Sequence, residues 1–198
     1  MNKSLFTAAT IVFVFANTGS AADITYNVDQ TIGAGSVIGF IDTDGTLGTL
    51  GSGDIADWNL EVSDGSTSFD LLGPFEAGWN SSVSTNGSNL SATALQLTFD
   101  FSADDFGYLL FQDLNQGGQF YCAQDGSLLC YNPCPPAYGA CPAGEGLNPI
   151  NNDGPDQYNS IDTPTVIGTS SAAPEPTTLV LMIAGLGLSL MAKRKVPE

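Results

Sequence analysis

Four cysteines lie close together, in the stretch YCAQDGSLLCYNPCPPAYGAC. An even number of cysteines in an exported protein predicts two disulfides, and four cysteines allow three connectivities. The Asp125-Gly126 turn favours a link between Cys122 and Cys130, which leaves Cys134 to pair with Cys141. A zinc site made of all four thiolates is the alternative, but the spacing lacks the paired C-x-x-C that such sites use.

Acidic side chains are the second group that could do chemistry. Residues 23 to 174 include 16 Asp and 3 Glu, and no Lys, Arg or His. Asp42 with Asp44, or Asp54 with Asp57, could give hard oxygen ligands to calcium, although neither pair completes an EF-hand loop. The alternative is that these aspartates form turns and keep the surface soluble. Calcium is thus the one cofactor that the sequence raises, and no cofactor is required.

The charge of the chain excludes several classes of function. The 198 residues have a formal net charge of −17. Nucleic acid is not an expected partner, because phosphate binding depends on basic side chains. Without histidine, neither a Ser-His-Asp triad nor a Cys-His pair can form, and a two-carboxylate glycosidase is the enzymatic alternative that is left. We therefore expect a protein without enzymatic activity.

Aromatic side chains suggest a different use, because sugar rings stack on exposed aromatic faces. The available residues are Trp58, Trp79, Tyr121, Tyr131 and Tyr138. Trp58 alternates with Leu60 and is expected in the core, whereas Trp79 and the tyrosines near the cysteines lie in stretches rich in glycine and proline. A glycan-binding module for extracellular polysaccharide is therefore an alternative to a purely structural role.

The elements that must position these groups are β-strands. Apolar residues recur two apart in ITYNV, WNLEV and in the series Leu95, Leu97, Phe99, Phe101, which is typical of half-buried strands. Further strands are predicted over 108–112 and 119–123. Tight turns are predicted at Asp44-Gly45, Asp64-Gly65, Asn86-Gly87 and Asp125-Gly126. The pattern predicts an all-β fold, an antiparallel β-sandwich of jelly-roll type over 23–162 with a disulfide loop at 122–141, then a linker over 163–173.

The first 22 residues have the features of a secretory signal peptide. Lys3 provides the positive start, Leu5 to Ala16 the apolar stretch, and Ser20-Ala21-Ala22 a small-residue cleavage site. The alternative is an uncleaved membrane anchor, for which the apolar stretch is short. The sequence therefore predicts export.

A second apolar stretch lies near the other end of the chain. Residues 177–192 carry no charge and are followed by Lys193, Arg194 and Lys195. A helix of this length rises about 24 Å, so it spans a bilayer core of about 30 Å only if the bilayer thins or the lysines snorkel. The basic cluster should stay cytoplasmic, which places the preceding chain outside. Pro174-Glu175-Pro176 would break any helix just before the membrane.

These terminal features together resemble a known sorting signal. Pro174, Glu175 and Pro176, a short Leu/Gly-rich apolar helix and the basic cluster Lys193, Arg194 and Lys195 resemble the PEP-CTERM tail, here over 174–198. The resemblance implies recognition and removal of the tail by an exosortase, a membrane cysteine transpeptidase, in Gram-negative bacteria that make extracellular polysaccharide. The alternative is a rigid stalk before an ordinary membrane anchor.

The body of the chain also resembles proteins that carry such tails. The stretch ITYNVDQTIGAGSVIGFIDTDGTLGTL, followed by DIADWNLEVSDGSTSFDLLG, is similar to an uncharacterised PEP-CTERM family that shares a TDGT turn and a DWNL strand. That family has no assigned activity and implies no catalytic residue. We expect a membrane-anchored precursor that becomes a non-enzymatic cell-surface, extracellular-matrix or biofilm protein.

Overall fold

The computed structural model describes residues 22–77, 81–103, 106–113, 119–126, 143–150 and 154–171. These residues form thirteen strands, a one-turn α-helix and a short 3-10 helix, and the paired strands run antiparallel. The predicted all-β class is therefore confirmed. The signal peptide over 1–22, except Ala22, and the tail over 174–198 with its apolar helix lie outside the described residues.

Eight strands form the large sheet, in the order β3-β7-β8-β13-β1-β2-β4-β5. Their bounds are β1 Ile24–Ile32, β2 Gly35–Thr43, β3 Gly48–Thr49, β4 Ile55–Ser63, β5 Ser68–Leu72, β7 Leu90–Ala92, β8 Gln96–Asp100 and β13 Pro164–Thr169. The 3-10 helix Ser52–Asp54 precedes β4, and α1, Pro74–Ala77, follows β5. The sheet thus combines strands from both ends of the described chain.

Five strands form the small sheet, in the order β12-β11-β10-β9-β6. Their bounds are β6 Ser81–Asn86, β9 Tyr108–Asp113, β10 Phe120–Gln124, β11 Gly144–Asn148 and β12 Gln157–Ser160. The strands predicted over 108–112 and 119–123 are thereby confirmed as β9 and β10. β10 lies at the centre of the sheet, with β9 on one side and β11 on the other.

Both sheets contribute side chains to one hydrophobic core. Alternation places Tyr26 and Val28 of β1 inside, with the exposed Asn27 between them, because successive side chains of a strand point to opposite faces. Trp58 of the large sheet meets Phe111 of the small sheet edge to face, with ring centroids 5.2 Å apart. Trp58 is 3% exposed, so its predicted place in the core is confirmed.

Side chains of β12 also tie the small sheet to the first hairpin of the large sheet. The backbone N–H of Gly33 donates to Asn159 Oδ1 at 2.9 Å, and that of Ala34 donates to Gln157 Oε1 at 2.8 Å. Asn159 Nδ2 in turn donates to the carbonyl of Thr31 at 2.6 Å. These bonds satisfy backbone groups in the β1–β2 turn that the strand ladder leaves without partners.

The predicted turns have the expected backbone geometry. In Asp44-Gly45, Asp64-Gly65, Asn86-Gly87 and Asp125-Gly126 the glycines have φ of 84°, 92°, 77° and 50°, values that glycine adopts without a steric penalty. Asp64-Gly65 joins two paired strands, β4 and β5, as the WNLEVSDGSTSFDLL hairpin predicts. Asn86-Gly87 instead lies between β6 of the small sheet and β7 of the large sheet.

Two expectations about strands are wrong. The predicted linker over 163–173 contains β13, which pairs with both β1 and β8 and buries Ile167 completely. Its β-branched residues suit a strand, although the composition around them is typical of a linker. Leu95, predicted to share the core face of β8, is 52% exposed, because it lies in the turn closed by Thr93 N–H and the Gln96 carbonyl.

Candidate functional site

A cleft of about 430 Å³ opens where one end of the small sheet meets the large sheet, with a lining that includes Phe101, Ser102, Phe106, Asp125, Ala143 and Asp162. Sheet neighbours bring these residues together. Asp125 directly follows β10, Ala143 precedes β11 and Asp162 precedes β13, which pairs with β8 just before Phe101. The cleft therefore combines residues that are far apart in the sequence.

Asp125 is the most deeply buried polar group of this cleft. Its side chain is 2% exposed, and its Oδ2 accepts a hydrogen bond from Asn89 Nδ2 at 2.8 Å. Asn89 Nδ2 also donates to the carbonyl of Asp100 at 2.7 Å, and the backbone N–H of Asp125 donates to the carbonyl of Gly107 at 3.0 Å. The hydrogen bond from Asn89 thus fixes the orientation of the Asp125 carboxylate at the cleft.

Gly107 makes room for this arrangement. A Cβ at position 107 would overlap with Asn89 Oδ1, so a larger residue would displace Asn89. Asn89 Oδ1 is itself buried and accepts no hydrogen bond. A buried acceptor without a partner is unfavourable. The two hydrogen bonds that Asn89 Nδ2 donates must therefore offset this cost and hold the side chain in place.

Phe106 forms one wall of the cleft in an unusual conformation. Its φ is 58°, and among the described residues it is the one residue other than glycine with a positive φ. A bulky residue in this region stores about 1–3 kcal/mol of backbone strain. The side chain is 54% exposed, and Asn86 Nδ2 donates to the carbonyl of Phe106 at 3.2 Å. The strained loop therefore presents an aromatic ring to solvent beside Asp125.

A second buried acid lies in the small sheet. Glu145 is 2% exposed, and Tyr121 donates its hydroxyl to Glu145 Oε1 at 2.8 Å. Burial raises the pKa of Glu145 above its ordinary value, and the hydrogen bond from Tyr121 opposes part of that rise. Tyr121 also stacks on Phe111, with ring centroids 6.2 Å apart. The pair is an internal polar contact within the apolar core.

This contact corrects one sequence expectation. Tyr121, which the sequence suggests as a platform for sugar rings, is fully buried, because its position in β10 faces the core. Trp79, Tyr131 and Tyr138 lie outside the described residues, so their exposure stays a prediction. The sequence pattern does not single out Phe106 as a platform. The one local indication that Phe106 lies in a turn is that it directly precedes a glycine, in the segment after β8.

The structure brings together the two predicted calcium pairs, but in a different combination. Asp42 of β2 lies directly opposite Asp57 of β4, and the backbone N–H of Asp44 donates to the carbonyl of Asp54 at 3.0 Å. Like charges directly across a strand pair destabilise it. Asp42 Oδ1 is buried and accepts no hydrogen bond.

Three of these aspartates also have local structural partners. Asp44 Oδ1 accepts from the N–H of Thr46 at 2.9 Å, Asp54 Oδ2 from that of Gly51 at 2.7 Å, and Asp57 Oδ1 from that of Phe75 at 3.2 Å. The bonds from Thr46 lower the pKa of Asp44 below its ordinary value. Within the described segments, no group of three or more Cys, His, Asp or Glu side chains is arranged to hold a metal ion. Calcium binding stays a prediction.

Asp64 shows the turn role of these acids most clearly. Its Oδ1 accepts from the N–H groups of Ser66 and Thr67, each at 2.7 Å, and from the Ser66 hydroxyl at 2.8 Å. These bonds, led by those from the Thr67 and Ser66 amides, lower the pKa of Asp64 to about 2. The carboxylate replaces the missing backbone partners of the hairpin turn.

Of the four cysteines, Cys122 lies within the described residues. Its side chain is buried and forms no disulfide within the described part of the chain, and its predicted partner Cys130 lies outside that part, so the link between them stays a prediction. Cys122 lies in the middle of β10 opposite Gly146, and its sulfur packs 3.8 Å from where a Cβ of Gly146 would stand. Cys130, Cys134 and Cys141 lie outside the described residues, so the Cys134 to Cys141 pairing stays a prediction.

The sorting residues Pro174, Glu175, Pro176, Lys193, Arg194 and Lys195 also lie outside the described residues, as does the apolar stretch 177–192. Of the helices in the described part of the chain, none has the length and hydropathy needed to cross a membrane.

Comparison with known proteins adds no relative. No protein-family model matches the chain, and no curated protein and no solved structure is significantly similar to it. The residues and geometry described above are therefore the basis for assigning a function.

Proposed function

We propose that this chain is an exported cell-envelope or extracellular-matrix protein, processed at a PEP-CTERM tail, with a non-enzymatic role at the surface or in a biofilm. The observation that carries the proposal is the order of three elements at the end of the sequence: Pro174-Glu175-Pro176, the uncharged stretch 177–192 and Lys193-Arg194-Lys195. Three ordered elements are more specific than any one of them alone. The N-terminal stretch 1–22 implies the same topology.

The composition of the body supports a role outside the cell. Residues 23–174 carry acids and no basic side chain, and a strongly acidic surface keeps a protein soluble without attracting nucleic acid. Several of these acids support turns, as Asp64 does through bonds from Ser66 and Thr67. In this proposal the domain is a jelly-roll-like β-sandwich, followed by a single apolar helix that anchors the precursor in the membrane.

The mature C-terminus tests this proposal. Intact-mass spectrometry is applied to the protein from cells that contain an exosortase-type transpeptidase and from cells that lack it. We expect loss of the tail near Pro174-Glu175-Pro176 only in the first cells, and an uncut precursor when Glu175 is replaced by Ala. Glu76→Ala, which removes an exposed acid from α1, is the matched control. An uncut tail in both cell types would favour a simple membrane anchor.

A glycan-binding module for extracellular polysaccharide is the second candidate function. The cleft favours it, because the exposed ring of Phe106 stands beside the carboxylates of Asp125 and Asp162. Aromatic faces and hydrogen-bond acceptors are the groups that bind sugars. Binding of purified extracellular polysaccharide by the full chain and by Trp79→Ala tests this candidate. Release of reducing sugar would instead support the glycosidase alternative.

A further inference from the structure

We propose that the cleft at Asp125 binds a sugar unit that carries a free amino group, as its ammonium ion, within an extracellular polysaccharide. The inference rests on the second function proposed above, the glycan-binding module, and adds the position of the site and the charge of the ligand. Three observations support it: the burial of Asp125, the absence of basic side chains in the body and the exposed ring of Phe106.

Of the two carboxylate oxygens of Asp125, one accepts a hydrogen bond from the described part of the chain and the other does not. Asn89 Nδ2 donates to Oδ2, and in the described part of the chain no group donates to Oδ1. A buried carboxylate is unfavourable unless a cation or further donors compensate it. No Lys, Arg or His occurs between residues 23 and 174, so the domain itself has no basic side chain to offer. Asp125 lines the open cleft, and its Oδ1 is not among the fully buried acceptors that lack a partner, so a cation from outside can reach this carboxylate.

Asp162 strengthens the preference for a positively charged ligand. It is an exposed acid at the same cleft, and no group in the described segments donates to its carboxylate. Two carboxylates at one opening repel phosphates, sulfates and uronic acids. They attract an ammonium group, which donates three hydrogen bonds and forms charge-assisted bonds with carboxylates.

The shape of the cleft favours a sugar over a simple amine. Phe106 offers an exposed aromatic face, on which the apolar C–H face of a sugar ring can stack. The volume of about 430 Å³ falls within the range of small-molecule sites, about 300–1,000 Å³, and a linear amine would leave much of it unfilled. A ring with an ammonium substituent uses both the apolar wall and the two acids.

The test compares two oligosaccharides with the same sugar backbone, one with free amino groups and one in which these groups are acetylated and uncharged. Isothermal titration calorimetry measures binding of a glucosamine hexamer and of an N-acetylglucosamine hexamer to the full chain in mild detergent. We expect the glucosamine hexamer to bind at least about tenfold more tightly, since one charge-assisted hydrogen bond accounts for a factor of this size. Equal affinity for the two hexamers would overturn the inference.

Two variants separate the cleft from general electrostatic attraction. Asp125→Asn should weaken binding of the glucosamine hexamer at least about tenfold, whereas Asp70→Asn, which removes the same charge from an exposed position of β5, should stay close to wild type. Equal weakening in both would mean non-specific attraction and would refute the site. Phe106→Ala, which leaves the Asn89 contact intact, should weaken binding several-fold relative to Phe75→Ala.

The same titrations separate this inference from the glycan-binding proposal. If the hexamers bind and Trp79→Ala alone abolishes binding, the protein is a glycan-binding module and the cleft is not its site. If neither hexamer nor the purified polysaccharide binds, both the module and the cleft site fail. The proposed export and tail processing are tested separately, by the mature C-terminus.

Discussion

The large sheet and the small sheet differ in the polar groups that they bury. Among the described residues, the large sheet buries three polar residues in and beside its eight strands, Thr43, Asp57 and Asn89. In and beside the two strands β10 and β11, the small sheet buries five polar residues, Gln119, Gln124, Asp125, Glu145 and Asn148. The two sheets share one core, but the small sheet buries more polar residues, and the buried acids Asp125 and Glu145 both belong to it.

The difference indicates that the two sheets have different structural roles. Apolar burial stabilises without requiring partners, so the large sheet serves as a scaffold. Buried polar groups require hydrogen bonds that hold them in specific positions, and Glu145 and Asp125 each have one such bond, from Tyr121 and Asn89. Glu145 and Asp125 are therefore held in fixed positions, as the polar groups of a binding site must be.

The largest effect is expected from breaking the scaffold. Phe99 of β8 is fully buried and packs on Phe101 with ring centroids 4.7 Å apart. Phe99→Ala should lower the free energy of unfolding by about 3–5 kcal/mol, because it removes apolar contacts and leaves a cavity. Urea denaturation measures this loss. Phe75→Ala, at a side chain 78% exposed, should change it by less than about 0.5 kcal/mol, and a similar loss in both variants would contradict the assignment.

The second effect concerns the buried acid of the small sheet. Burial raises the pKa of Glu145 in the folded state, so the stability that the protonated group contributes is complete below its ordinary pKa of 4.5 and is lost as the pH rises through the raised value. Glu145→Gln should therefore be more stable than wild type at neutral pH and should lose that pH dependence.

Thermal melts at evenly spaced pH values between 4 and 8 check this prediction for Glu145. Glu61→Gln, at an exposed position of β4, is the control and should keep the wild-type pH dependence. Identical pH profiles for Glu145→Gln and wild type would show that the buried carboxyl does not contribute.

A smaller effect is expected at the β4–β5 turn of the scaffold. Asp64→Ala removes the hydrogen bonds to Ser66 and Thr67 and should lower the melting temperature more than Asp70→Ala, at an exposed residue of β5. The pKa of Asp64 is lowered to about 2, so its contribution is present above the ordinary pKa of 3.8 and is lost as the pH falls through about 2. The two variants should therefore melt alike in strong acid, and a gap that persisted there would contradict the turn role.

The smallest effect concerns the repulsion among the acids. Raised sodium chloride should increase the melting temperature by a few degrees, because it screens charges that no basic side chain of the body offsets. Calcium should add to this if Asp42 and Asp57 share an ion, and Asp42→Asn should then abolish the additional increase. A melting temperature that calcium leaves unchanged at constant ionic strength would remove the calcium hypothesis.

The sequence predicted the scaffold better than the site. The alternation around Trp58 and Leu60 and the Asp64-Gly65 turn depend on neighbouring residues alone, and the β4–β5 hairpin follows the prediction. The polar, proline-containing sequence around β13 predicts a linker. The strand forms because it pairs with β1 and β8, which joins residues far apart in the chain. The predicted exposure of Tyr121 is wrong for a related reason, because its burial depends on sheet pairing that its local sequence does not reveal.

The amino-acid sequence by itself determined the class of the fold, the faces of its clearest strands, the turns with positive φ and the absence of basic side chains from the body. These properties are local or compositional, so pattern and side-chain chemistry are sufficient to find them. Only the tertiary structure decided that Asp125, Phe106 and Asp162 meet at one cleft and that Glu145 lies buried beside Tyr121. Those contacts arise from strand pairing between distant segments, where the burial of a shared core, and no local preference, decides which residues meet.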